Sequence, residues 1–199
     1  ISTGAGISKP VIRGLGYNRV LTVQDGIRQE GQQWGDEHGI EVDEFGVDRV
    51  EILKGPASLL FGSDGIAGVI DLQSALPVED GTALIQFQPQ YQSNNDMTAF
   101  SGNVAANKNG WNGFARYSQK NAGEFRTPTD GKVFNSGFEE HNLSGMFGLN
   151  RSWGYVHLFA SSFDQKVGLV EGERDSTGAF LTEAAPYQRI THRKISLNN

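Results

Sequence analysis

From Ile85 to Gln92 the chain reads Ile-Gln-Phe-Gln-Pro-Gln-Tyr-Gln, with an apolar residue at every odd position and a glutamine at every even one. Successive side chains of a strand point to opposite faces, so this period fits an extended segment with one oily and one wet side. The same rule recurs three more times. Phe100, Gly102, Val104 and Ala106 alternate with Ser101, Asn103, Ala105 and Asn107; Trp111, Gly113, Ala115 and Tyr117 alternate with Asn112, Phe114, Arg116 and Ser118; Leu143, Gly145, Phe147 and Leu149 alternate with Asn142, Ser144, Met146 and Asn150. Trp153 to Gln165 and Tyr187 to Asn198 also read as extended, with less cleanly separated faces. About six antiparallel strands are therefore expected from Thr82 onward.

A two-faced sheet has two homes. In a soluble sandwich the oily face is a core and the Gln/Asn face meets water; in a membrane barrel the oily face meets lipid. Alternation alone does not separate them, but the connections do. An outer-membrane barrel has short turns on one side and longer loops on the other. Here Lys108-Asn-Gly110 is tight, with the Asn-Gly pair that favours positive φ; Asn121 to Phe138 is long; Arg151-Ser152 is tight; Lys166 to Pro186 is long. Ser93 to Asp96 is the one short connection on the presumed outer side. Tyr91, Trp111, Tyr117, Trp153 and Tyr155 fall near strand ends, where an interfacial girdle places aromatics. No run reaches the ~18 to 20 apolar residues of a transmembrane helix, which excludes helical spanning and leaves a barrel open. Six strands cannot close around a plug, and an open edge in lipid leaves backbone groups unpaired. The chain is accordingly expected to be a piece of a longer protein.

The first eighty residues have another grammar. They carry six basic and thirteen acidic side chains, against eleven and ten in the remainder. Short β-branched runs broken by glycine predict strands at Arg19–Val23, Val50–Leu53 and Ile66–Leu72, and Pro56 to Phe61 predicts one or two helical turns ended by Gly62. The expected unit is a small mixed α+β domain over residues 1–78, with the strand-rich part over 79–199. A chain with no cysteine and a net charge of −6 is neither a disulfide-stapled miniprotein nor a basic nucleic-acid binder. Its 26 glycines among 199 residues favour turns over long helices.

Three segments of this first part stand out together: Pro10-Val-Ile-Arg-Gly14, Val23-Gln-Asp-Gly-Ile-Arg28, and Asp48-Arg-Val-Glu-Ile-Leu-Lys-Gly-Pro-Ala-Ser-Leu-Leu-Phe-Gly62 running into Ile66-Ala-Gly-Val-Ile-Asp-Leu72. In order and spacing they resemble the plug domain of TonB-dependent outer-membrane receptors. The resemblance covers roughly residues 1 to 73, and the alternating strands stand where such a receptor's barrel begins. It implies an α+β plug domain inside a transmembrane antiparallel β-barrel of about 22 strands, of which only the first six or so are present. It further implies energised import across the outer membrane of a Gram-negative bacterium, driven by a TonB-type complex, with no covalent chemistry. The family's short partner-engaging box has no match here. Outer-membrane lipid is an implied partner and nucleic acid is not; a surface lipoprotein belongs to the rival docking reading given below.

Charged plug residues at Arg13, Arg49, Glu51 and Lys54 alternate with apolar neighbours, so they are candidates for ion pairs toward a polar barrel wall, as the family's plug arginines make. The segment Glu30 to Asp48 holds seven carboxylates and no cation around Trp34 and His38, other than the Arg49 that follows it. Trp34, Asp36, Glu37, His38 and Asp43 are the candidate ligand-binding residues. His38 with Asp36 offers imidazole and carboxylate to zinc or another first-row metal, although no spacing there is a strong metal motif and a solvated acidic loop explains the same residues. Such a metal, or its chelate, is cargo; no resident cofactor is expected. The ligand is expected between this segment and the long loops at 121–138 and 166–186. Iron chelates lead as substrates, followed by zinc and haem. Two other function classes stay open: a receptor-like barrel that docks a surface lipoprotein or joins a larger assembly, and a secreted β-rich enzyme with a metal at His38. Ser58 and Ser63 have no recognisable triad partners, and the glycine clusters lack the context of a nucleotide site.

Overall fold

The computed structural model describes residues 2–4, 6–31, 38–62, 64–129, 131–170 and 185–199. The chain divides into two compact units, Ile1–Ala75 and Leu76–Asn199.

In the first unit, β1 (Ser2–Gly4) and β2 (Ile7–Ser8) form an antiparallel pair. Next, β3 (Val20–Gln24), β4 (Ile27–Gln29), β5 (Val47–Leu53) and β6 (Gly68–Ser74) make a four-stranded sheet in the order β4-β3-β6-β5. The β3–β6 contact is parallel and the others antiparallel. The run Val20-Leu-Thr-Val23 is buried on both faces, as a central strand requires. Leu21, Val23 and Val69 pack with Leu53 and Phe61 on one side, and Val20, Ile12 and Ala67 with Leu15 and Ile70 on the other. Each fully buried aliphatic contributes roughly 1.5–3 kcal/mol.

Two tight turns shape this unit. Ile12 and Leu15 exchange backbone hydrogen bonds of 2.9 Å across Arg13 (φ 52°) and Gly14 (φ 77°), the geometry of a type I′ turn. Asp25 (φ 51°) and Gly26 (φ 80°) join β3 to β4 in the same way. The Asp25 carboxylate also accepts from the Ser74 backbone N–H at 2.8 Å and from its hydroxyl at 2.9 Å, which pins the turn to the end of β6. Asp25→Ala is expected to cost about 2 kcal/mol, because it removes two hydrogen bonds to a charged group, and Asp25→Asn appreciably less. Hydrogen exchange of the β6 peptide in the two variants measures the difference.

The helical share of the α+β expectation takes the form of 3-10 turns at Tyr17–Arg19, Glu44–Gly46 and Gly55–Phe61; among the described residues there is no α-helix. Each piece is too short to offset the cost of nucleating an α-helix. The longest closes on itself when the Ser58 hydroxyl donates to the Gly55 carbonyl at 2.8 Å.

The second unit is a meander. Its wall strands are β7 (Ala83–Gln92), β8 (Met97–Lys108) and β9 (Trp111–Ala122), followed, after a hairpin of β10 (Arg126–Thr127) and β11 (Gly131–Lys132), by β12 (Phe138–Arg151), β13 (Gly154–Gly168) and β14 (Tyr187–Asn198). All six wall strands are antiparallel, in the order β14-β13-β12-β9-β8-β7. They run 10 to 15 residues, enough for the ~9–11 of a tilted membrane-crossing strand.

Register lines up the oily faces of separate strands. Phe87, Gly102, Tyr117 and Leu143 share one row, and Ile85, Val104, Ala115 and Gly145 the next. That face is the exposed one, with Ile85 82% and Phe87 67% accessible, while Ser101, Ser118 and Asn142 on the opposite face are 1%, 0% and 4% accessible. A sandwich would show the reverse. Apolar side chains out and Asn, Ser, Lys and Glu in is the pattern of a barrel wall. Asn109 (φ 53°) and Gly110 (φ 75°) form the expected positive-φ turn, and residues 93–96 the expected short connection. At the second tight turn Arg151 pairs with Gly154, so the turn residues are Ser152 and Trp153, one position later than the sequence pattern placed them. Trp153 is thereby a turn residue, and the strand starts at Gly154, whose φ of 139° suits glycine.

Candidate ligand-binding segment and the polar wall

Within the acidic segment, Trp34, Asp36 and Glu37 lie outside the described residues. The part from His38 to Asp48 is held against the first unit's own backbone. Ile40 N–H donates to the Ser8 carbonyl at 3.1 Å, and Gly39 lies so close that a Cβ there would stand 2.9 Å from the Ser8 nitrogen. Glu41 is buried with its carboxylate over Gly31, and its Oε1 lies 3.8 Å from His38 Nδ1. The carboxylate nearest His38 in the described structure is therefore Glu41, a residue the sequence reading placed in the acidic segment without singling it out.

Asp43 has a different task. Its Oδ1 accepts from the Phe45 N–H at 3.1 Å and caps the 3-10 turn Glu44–Gly46, which leads directly into β5. Among the described residues of this unit, no third His, Asp or Glu joins His38 and Glu41 within ligating distance. A closed zinc site takes four ligands, and Asp36, which the metal assignment pairs with His38, lies outside the described residues.

Arg13 occupies the turn between Ile12 and Leu15 with its side chain exposed. On β5, Arg49 contacts the Glu51 carboxylate, two positions along the same face, and Lys54 follows the strand, exposed, beside Gly55. Arg28, which no site assignment included, pairs with Asp64 at 2.9 Å and with Glu30 at 3.4 Å. It ties the end of β4 and the start of the acidic segment to the loop before β6.

The wall holds a charged cluster that sequence reasoning did not find. Lys120 on β9, Glu140 on β12 and Gln165 on β13 share one register row of the polar face. Lys120 Nζ donates to Glu140 Oε1 at 2.7 Å, Gln165 Nε2 to Glu140 Oε2 at 3.0 Å, and Asn142 Nδ2 to Glu140 Oε1 at 2.8 Å and to Ser118 Oγ at 3.2 Å. All five side chains are buried. The network crosses three strands near the end where the long connections leave the wall. There, Asn135 Nδ2 donates to the carbonyls of Leu169 and Pro186 at 2.7 and 2.6 Å, and Leu169 N–H to Pro186 at 3.0 Å, closing the neck of the third loop. Arg126 reaches back to Asp96 at 3.2 Å. The wall thus presents loops on braced bases.

Residues 1–69 match the TonB-dependent Receptor Plug Domain. The chain is 34% identical over 100 residues to an iron-regulated outer membrane virulence protein of Vibrio cholerae, covering 46% of this chain and 15% of that protein. It is 47% identical over 60 residues to a hemin receptor of Yersinia pestis, covering 30% of this chain and 9% of that one. The FrpB iron transporter from Neisseria meningitidis has the same fold over 98% of this chain and 32% of its own, with a TM-score of 0.82 at 17% identity. The chain spans about a third or less of the length of these proteins. The chain thus carries a TonB-dependent receptor plug domain in its first third and, in the remainder, a wall with the inside-out pattern of a membrane barrel.

Proposed function

We propose that the receptor of which this chain forms part imports a scarce metal chelate, an iron chelate first and haem or zinc next, driven by a TonB-type energising complex. The plug match over residues 1–69 carries this reading, because a plug is needed only where passage must be gated. The relatives named for iron regulation and for hemin support the substrate order. Within the plug, Trp34, Asp36, Glu37, His38 and Asp43 are the proposed ligand contacts, with Glu41 added as the carboxylate that orients the His38 ring.

Isothermal titration of the full receptor with a ferric chelate, hemin and zinc tests the assignment. Asp36→Ala and His38→Ala are expected to weaken binding of the cognate ligand at least tenfold. Asp43→Ala is expected to act less, because its carboxylate already caps a turn. Unchanged affinity for every ligand in all three variants removes this segment as the site. Uptake by intact cells, measured with and without a protonophore, tests the energised step separately, and uptake indifferent to the protonophore overturns it.

A further inference from the structure

The segment that joins the two units is fastened to the wall before the wall's first strand begins. Ala75, Leu76 and Pro77 make no hydrogen bond among the described residues, and Leu76 is 85% accessible. From Val78 on, the chain is held. Asn107, near the end of β8, donates from Nδ2 to the Val78 carbonyl at 2.8 Å. Gly81 N–H donates to the Asn107 carbonyl at 2.8 Å, and Asn107 N–H to the Thr82 carbonyl at 2.9 Å. Thr82 N–H closes a turn on the Glu79 carbonyl at 3.0 Å, and Asp80 Oδ1 accepts from Gly110 N–H at 3.2 Å.

This clamp is braced from behind. Asn107 is buried, which limits competition from water for its amide. The Asn109-Gly110 turn that receives Asp80 is itself fixed to the next turn of the meander: Asn150 N–H donates to the Gly110 carbonyl at 2.8 Å, and the Arg151 guanidinium contacts the Asn109 carbonyl. A pull that enters the wall through Leu76 is therefore shared among β8, β9 and β12 before it reaches the β7 ladder.

The position of the anchor sets the length of the tether. The last plug strand, β6, ends at Ser74, and four residue steps to Val78 span at most about 14 Å. Were the anchor the start of β7 at Ala83, nine steps would span about 31 Å. A compact unit of 75 residues is roughly 30 Å across. A folded plug withdrawn by its own width needs β6 to end that far from its anchor, which the longer tether allows and the shorter one forbids.

We propose that Asn107 and Asp80 anchor the linker at Val78 and keep the tether too short for the plug to leave as a folded body, so that a pulled plug yields strand by strand. The anchor deepens the import reading and rests on it for the source of the pull.

Single-molecule force spectroscopy of the full receptor in lipid vesicles, pulled through a cysteine handle made by Ser8→Cys, tests both parts. The otherwise unsubstituted plug is expected to give way in several steps and to stop when the chain from residue 8 to residue 78, about 240 Å, has been drawn out. Asn107→Ala with Asp80→Ala is expected to move that stop at least to Gly81, about 10 Å further, while peptides 97–106 and 111–122 keep their hydrogen-exchange protection. Inserting five Gly/Ser residues between Leu76 and Pro77 leaves every bond of the clamp in place and lengthens the tether to about 31 Å. It is expected to raise the share of single-step, whole-plug withdrawals at least fivefold. A stop that the double variant leaves in place overturns the anchor. An insertion variant that yields in the same steps as its parent, or a parent plug that comes out whole, overturns the role of the tether. Cell uptake indifferent to a protonophore strikes the import reading alone, because the stop is read under an applied load.

Discussion

Lys120→Met is expected to destabilise the wall by about 3–5 kcal/mol, because it leaves the Glu140 carboxylate buried without its cation. Lys120 and Glu140 have side chains only 6% and 5% accessible and sit 2.7 Å apart. Desolvating either charge is costly, and only the partner and the added hydrogen bonds from Asn142 and Gln165 offset it. The asymmetry separates this from a surface bridge, whose loss typically costs under about 1 kcal/mol. Replacing both members, as Lys120→Met with Glu140→Gln, is expected to regain most of the loss, since no isolated charge remains and the new amide accepts from Asn142 and donates to Gln165 once the Gln165 amide turns over. Equilibrium urea unfolding of the receptor in detergent measures both. A single-variant cost below 1 kcal/mol would show that water reaches the pair.

Why this cluster was invisible in the sequence follows from register. The pairing of β8 with β9 is legible, because the Asn109-Gly110 turn fixes Lys108 opposite Trp111 and every other partner by counting. The two-residue turn at Ser152-Trp153 fixes β12 against β13 once its position is known. Nothing comparable fixes β9 against β12. The connection from 123 to 137 is long and contains its own hairpin, Arg126–Thr127 with Gly131–Lys132, which alternation did not reveal because each arm is two residues. Lys120 and Glu140 meet only through that unfixed register. The long connection was expected from Asn121 to Phe138, and both of those end residues lie in strands instead, β9 running on to Ala122 and β12 starting at Phe138.

The faces of the strands were legible for a stronger reason. A shift of one residue moves every side chain to the other face, so four alternating segments whose oily sides must all meet lipid constrain one another. Their alignment in the rows of Phe87 and Ile85 follows from that. In the plug the motifs gave the strands, but not that Asp43 is spent on a cap or that Glu41 rather than Asp43 lies beside His38. Spacing along a loop carries no such information: there the side chain's direction is set by turn geometry and by contacts such as Ile40 with Ser8, not by a period.

Gly68→Ala is expected to cost the plug about 3 kcal/mol, a large fraction of the ~4–11 kcal/mol that typical per-residue stability gives a unit of 75 residues. Two causes add. Gly68 opens β6 at φ 146°, a conformation L-residues rarely adopt and whose strain is of order 1–3 kcal/mol. A Cβ there would also stand 2.7 Å from the Leu53 carbonyl oxygen and 3.2 Å from Ile12 Cδ1, so β6 could accept it only by moving off β5 and off the cluster around Val20. Gly14→Ala separates the two causes: Gly14 has φ 77° but nothing within 4 Å of the added carbon, and its cost is expected near 1 kcal/mol. Hydrogen exchange of the full receptor reads both variants, with peptides from 47–53 and 68–74 losing protection in Gly68→Ala while those from 97–108 and 138–151 keep theirs. Equal costs at the two glycines would mean that backbone conformation alone decides, and that β5 and β6 part easily enough to admit a methyl group, as a plug that disorders strand by strand under tension would allow.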